Sequence, residues 1–264
     1  MRSAKLVSGS RIFRALLCAS ALAAASAPEL KLVRITTLRG ETHHVQGIEF
    51  DTSHVWVTSV DRARRRGYLE EFSLSDGRLI RSIDLTDGER FHPGGVAAAA
   101  MSLWIPVAEY RRASSSVLQK RSLRTLQLEY EFAVNDHIGC VAVTPDGLVG
   151  ANWDSRDFYM WDSFGRLLRK TPNPTTNAYQ DMKFVDGRLI GSGLLPGGAG
   201  AIDWLEFPSL RLLGRINLGR TDRGIPYTNE GMAISRNRLL LLPEDSPSRL
   251  FEFRLSARGK LFGH

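Results

Sequence analysis

The fold class predicted for this chain is all-β: a five-bladed β-propeller of four-stranded antiparallel blades, its ring closed by the N-terminal strand pairing in the last blade. Two observations predict it. First, a loose motif occurs five times: His44-Val45-Gln46-Gly47-Ile48, His92-Pro93-Gly94-Gly95-Val96, His137-Ile138-Gly139-Cys140-Val141, Ala178-Tyr179-Gln180-Asp181-Met182 and Thr228-Asn229-Glu230-Gly231-Met232. Its fourth residue, the anchor, is Gly47, Gly95, Cys140, Asp181 or Gly231, at intervals of 48, 45, 41 and 50 residues. Periods in the forties mark repeat architectures built from one supersecondary unit. Second, an apolar residue stands nine positions after every anchor: Trp56, Trp104, Val149, Ile190 and Leu240. Two stacked sandwich domains would not require that constant offset.

Each unit reads as four strands. The first follows the anchor, as in Ile48-Glu49-Phe50, and the second carries the apolar residue of the constant offset. The third strands are 68–74, 116–123, 157–162, 201–207 and 249–255. Polar turns such as Ser75-Asp76-Gly77 lead into the fourth strands, 79–85, 126–134, 167–171 and 210–218. The fifth unit has no room for a fourth strand, and the spare strand at 30–38 fills the vacancy. Such closure removes exposed sheet edges, which otherwise template aggregation.

The domain organisation follows. Residues 1–27 read as a secretory signal: Arg2, Lys5, Arg11 and Arg14 precede a short run of Ala and Leu, and Ala25-Ser26-Ala27 offers a cleavage site. The run is too short to span a membrane. Residues 28–264 form one propeller domain, expected to be secreted or periplasmic and monomeric. Without the signal the formal charge falls from +7 to +3, too little to argue for a nucleic-acid partner. Cys140 is then the single cysteine, so no internal disulfide is expected. At an anchor position it reads as a small buried filler rather than a nucleophile.

Antiparallel order brings the start of the innermost strand and the end of the second strand to the same face. Two columns of residues should meet there. His44, His92 and His137 stand three before their anchors, and Asp61, Glu109, Asp154 and Asp245 stand fourteen after theirs. One reading is a catalytic or metal-binding site at the channel mouth. The three imidazoles, His44, His92 and His137, would be ligands for zinc or acid–base groups, with Asp61, Glu109 and Asp154 orienting them. Calcium would instead draw on the carboxylates. Gln46, Gln180, Asp181, Asn229 and Glu230 add polar groups for a small-molecule ligand. Arg62 and Arg111, just past the acids, would attract an anionic one. The competing reading is structural, with imidazole and carboxylate bonded inside each blade. No nucleophile elbow and no phosphate-binding loop occurs.

With those residues in view, His44-Val45-Gln46-Gly47, the stretch from Trp56 to Arg62, Phe91-His92-Pro93-Gly94-Gly95, the stretch from Trp104 to Tyr110, and Asn229-Glu230-Gly231-Met232 resemble a family of exported bacterial propellers of unknown function. More distantly, Gln46-Gly47-Ile48-Glu49-Phe50 and Arg249-Leu250-Phe251-Glu252-Phe253 are similar to glutamine cyclotransferases. That resemblance implies a secreted five-bladed propeller that cyclises N-terminal glutamine. Those enzymes place a Glu before the second anchor, where this chain has Gly94. Lactonase-type propellers, with a metal in the channel, share only the architecture. The sequence therefore supports a metal-assisted hydrolase or cyclase at the channel mouth. The alternative is a non-enzymatic propeller that binds a small anionic ligand or a protein partner.

Overall fold

A computed structural model describes residues 29–255, and the expected signal at 1–27 lies outside these. Strand β1 (Leu30–Thr37) opens the described chain. Blade one follows as β2 (His44–Phe50), β3 (His54–Asp61), β4 (Arg66–Ser73) and β5 (Leu79–Asp84). The innermost strand of blade two is in two pieces, β6 (Arg90–Pro93) and β7 (Ala97–Ala99), both paired with β8 (Ser102–Glu109). Its outer strands are β9 (Ser116–Ser122) and β10 (Leu128–Val134). Blade three is β11 (Ile138–Thr144), β12 (Gly147–Asn152), β13 (Asp157–Trp161) and β14 (Leu167–Pro172), and blade four is β15 (Ala178–Val185), β16 (Arg188–Leu194), β17 (Gly200–Glu206) and β18 (Leu212–Leu218). Blade five has β19 (Glu230–Ser235), β20 (Arg238–Pro243) and β21 (Arg249–Leu255).

The five-bladed fold and its closure agree with the sequence reading. Strand β1 pairs antiparallel with β21, from Leu30 opposite Leu255 to Thr37 opposite Arg249, and supplies the outer strand of blade five. The apolar residues of the constant offset all lie in second strands and are nearly inaccessible. They belong to five apolar clusters, one between each pair of adjacent blades. Trp56 packs with Leu103 and Ile105 between blades one and two, and Trp104 with Ile138 and Tyr159 between blades two and three. Burying a side chain of this size contributes about 1.5–3 kcal/mol against leaving it exposed.

The starts of the innermost strands differ from the sequence reading. The innermost strand of blade one begins at His44, three residues before its anchor, and β15 likewise begins at Ala178. The ladder continues on both sides of an inserted residue. Pairing skips between Val45 and Gly47, Ile138 and Cys140, and Tyr179 and Asp181, so Gln46, Gly139 and Gln180 are β-bulges.

The anchors are small because the innermost strands crowd the axis. A Cβ on Gly47 would meet Gly95 Cα at 2.5 Å, and one on Gly95 would meet Asp181 Oδ1 and Cys140 Cβ, each at 2.7 Å. Cys140 is buried and reduced, and burial raises its thiol pKa, as befits a packing role. Asp181 was a ligand-binding candidate, but it lies below the mouth with no exposure. Its Oδ2 accepts from the Ile48 amide of blade one at 3.0 Å and the Met232 amide of blade five at 3.1 Å. Its Oδ1 accepts from its neighbour Met182 at 2.8 Å and from Lys183 Nζ at 2.6 Å. The same ammonium donates to the Val96 carbonyl of blade two at 2.8 Å. One ion pair thus ties four blades across the channel.

Removing one partner of such a pair leaves a buried charge without compensation. Asp181→Ala is expected to cost about 3–5 kcal/mol of unfolding free energy, read from urea titration. An unchanged midpoint would show that the pair is not what holds the inner strands.

Candidate functional site at the channel mouth

Above Asp181 the inner strands open into a recess of about 180 Å³. The sequence-predicted residues His44, Gln46, His92, His137, Gln180 and Glu230 line it, with Asp154 at its edge. The bulges explain why. An inserted residue has no partner opposite and is turned out of the alternation, so Gln46 and Gln180 reach the recess from strands that otherwise pack on their neighbours. In blade five the backbone of Glu230 achieves the same turn with a φ of 112°, a conformation costing a non-glycine residue about 1–3 kcal/mol.

The two predicted columns do not pair. Asp61 accepts from the Arg64 amide and Nη1, both at 3.0 Å, and Glu109 accepts from Arg111 Nε at 2.7 Å and Ser115 Oγ at 2.9 Å. Asp154 is ion-paired with Arg112, and Asp245 accepts from Arg223 and Arg249. These acids stand at or beyond the ends of the second strands, where their own turns and adjoining loops supply arginines. One residue away from these acids, Tyr110 and Trp153 line the recess and Glu244 meets His44, contacts which sequence reading missed. Strand alternation gave no signal for them, because all three stand just past the ends of their second strands.

The histidines have other partners. His44 Nδ1 is 2.7 Å from Glu244 Oε2. Burial opposes its charge, but the Glu244 bond and the nearby Glu230 and Glu244 charges outweigh that and raise its pKa. His92 Nε2 is 3.0 Å from Gln46 Oε1, while Gln46 Nε2 donates to the Val45 carbonyl at 2.9 Å. His92 Nε2 must therefore carry the proton, and its Nδ1 is enclosed with no hydrogen-bond partner. Burial, then the charges of His137, His44 and Arg62, push the His92 pKa well down. His137 Nδ1 donates to the Arg111 carbonyl at 3.0 Å, and burial lowers its pKa, so the neutral ring leaves Nε2 as its acceptor. Tyr110 stacks near His92 at 4.1 Å, and Trp153 meets the edge of His137 at 4.5 Å.

Among the described residues, no three His, Cys, Asp or Glu side chains are grouped as ligands for a metal ion. His44 turns to Glu244, His92 to Gln46 and His137 to a backbone carbonyl, so the expected three-histidine zinc set is not assembled. The arginine rim is also largely neutralised. Arg111 is paired with Glu109, whereas Arg62 has no ion pair among the described residues and lies 4.6 Å from the Tyr110 ring centroid. Asn229 contributes through its backbone, accepting from the Glu244 amide at 3.0 Å.

Residues 63–179 match the Family of unknown function (DUF6454). The match spans the end of blade one, blade two and blade three. The crystal structure of Myxococcus xanthus glutaminyl cyclase is similar at a TM-score of 0.68 and 15% identity, covering 87% of this chain and 97% of that one. A protein of unknown function from Bacteroides caccae aligns at a TM-score of 0.52 and 9% identity, covering 75% of this chain and 69% of that one. At these identities the structures share the fold alone. No curated protein matches the sequence.

Glu230 is the most perturbed acid of the mouth. Burial raises its pKa from 4.5 to about 7, against the opposing charge of His44. Over that window the folded chain holds a proton that the unfolded chain has released, so this group makes stability fall as pH rises. Glu230→Gln should flatten that slope, measured as urea midpoints below and above the window. A second measurement concerns the histidines: zinc added to the purified chain should leave the thermal midpoint unchanged. Stoichiometric zinc lost on His92→Ala would overturn the geometric reading.

Proposed function

We propose that this chain acts, after export, as an enzyme of acid–base chemistry on a small molecule at the channel mouth, cyclising or hydrolysing an amide without a metal on its three histidines. One observation carries the reading. The Glu230 carboxyl lines the recess, is bonded by no donor among the described residues, and has a pKa raised to about 7 by burial. A carboxyl poised there can accept and return a proton near neutrality. The backbone φ of 112° that aims it fits a residue kept for its position.

In the cyclising form, a substrate amine attacks an amide carbonyl carbon of the same molecule. Glu230 takes the amine proton as the new C–N bond forms, then delivers it to the departing nitrogen as the old C–N bond breaks and ammonia leaves. His44, whose protonated form the Glu244 bond favours, supplies positive charge for the oxygen that becomes anionic in between. The glutaminyl cyclase fold supports the cyclising form as an analogy of architecture.

A second reading, a propeller that binds without turnover, is favoured by Gly94. A Cβ there would stand 2.0 Å from the Gly139 carbonyl oxygen, so the acid that glutamine cyclotransferases carry at this position has no room.

The test is ammonia release from a panel of glutaminyl peptides and simple amides. Turnover should rise with pH through about 7, and Glu230→Gln should lower it by about 10²–10⁴-fold. Binding of a panel member with no ammonia release by the wild type would favour the second reading.

A further inference from the structure

The floor of the recess is rich in hydrogen-bond acceptors and poor in donors. His92 spends its only N–H on Gln46, which leaves the enclosed Nδ1 without a partner. His137 spends its N–H on the Arg111 carbonyl, which leaves Nε2 as an acceptor. The Glu230 carboxyl stands in the same wall. His92 Nδ1 is sealed from solvent, so the acceptors that a ligand N–H or O–H meets in the recess are His137 and the Glu230 carboxyl. Donors come from the ligand.

The lip of the recess has the opposite character. Of the arginines that follow the second strands, Arg64 is held by Asp61, Arg111 by Glu109 and Arg112 by Asp154. Arg62 carries no carboxylate partner among the described residues and rests on Tyr110, whose ring is also the neighbour of His92. It is exposed at the rim, and Tyr110, on which it rests, is part of the recess wall. The guanidinium rests on the Tyr110 ring and also bonds the Tyr110 hydroxyl, and its remaining N–H groups suit a carboxylate.

We infer that the ligand of this recess is a small bipolar molecule, with an amine or amide N–H group seated against His137 and Glu230 and a carboxylate, a few bonds away, held by Arg62. The inference rests on the recess being the binding site, as in the proposed function, but not on any turnover there. Arg62 is thereby a specificity residue, and the anionic ligand expected from the arginine-rich loops becomes one whose negative end stops at the lip.

The test is isothermal titration calorimetry with three probes of equal length: γ-aminobutyrate, butyrate and butylamine. The bipolar probe should bind at least about tenfold more tightly than either single-ended probe, a difference near 1.4 kcal/mol. Arg62→Gln, at an exposed position whose loss should leave the thermal midpoint unchanged, should reduce γ-aminobutyrate to the affinity of butylamine and leave butylamine itself unaffected. Butyrate binding as tightly as γ-aminobutyrate, an Arg62→Gln variant with wild-type affinity, or no binding by any probe would overturn the inference. Tight bipolar binding with no ammonia release from any amide would instead retire the proposed reaction and leave this assignment standing.

Discussion

The ring depends on a carboxylate that no solvent reaches. Asp181 occupies an anchor position where three of the five repeats have glycine, and it uses the space those glycines leave. Its four acceptor sites are filled by the amides of Ile48, Met232 and Met182 and by the Lys183 ammonium. Burial raises the Asp181 pKa to about 6 while Lys183 and the amides pull it down, so the carboxylate is stabilised only by the complete set of donors. A propeller has no core common to all blades; its apolar clusters each join two neighbours. The Asp181–Lys183 pair is the contact that reaches across the axis instead of around it. Such a pair gives less net stability than its Coulomb energy suggests, because both charges are desolvated. Its geometric demand is strict, and that demand holds the inner strands in register.

That register positions the mouth. The residue just before each anchor sits where an inner strand leaves the crowded axis, and bulges there rotate it toward the opening. Three of these positions are polar, Gln46, Gln180 and Glu230, and two are glycine, Gly94 and Gly139. The glycine at Gly94 is enforced by the Gly139 carbonyl, which leaves one side of the ring without a functional side chain. Polar groups therefore gather on blades one, four and five, while aromatic rings and neutral histidines line blades two and three. The asymmetry of the site comes from which strands have room for a side chain.

Charge at the mouth is arranged by exclusion. Most arginines there are consumed by acids on their own turn or the next blade's, pairs worth little in stability because the arginines remain exposed. Their effect is to cancel one another. What remains uncancelled is Glu230, the His44–Glu244 pair and Arg62, whose charges influence one another. Burial keeps His92 and His137 neutral, so they act as hydrogen-bonding groups rather than cations.

The sequence by itself determined the blade count, the strand order, the closing strand and the residues that line the mouth by way of the inner strands. Those features follow from a repeat spacing and an alternation that any folded form must respect, because a side chain's face is set by its place in a strand. Tertiary structure alone decided the partners. His44 meets Glu244, which is 200 residues away in sequence, because the last blade closes against the first. Of the acids fourteen after the anchors, Asp61 and Glu109 are the last residues of their strands and Asp154 and Asp245 lie beyond theirs, where alternation no longer dictates direction, and so their turn toward arginines could not be read from spacing. Asp181 looked like a candidate ligand for the same reason: whether a carboxylate at an anchor faces a cavity or four donors depends on strands from other blades that the local sequence does not contain.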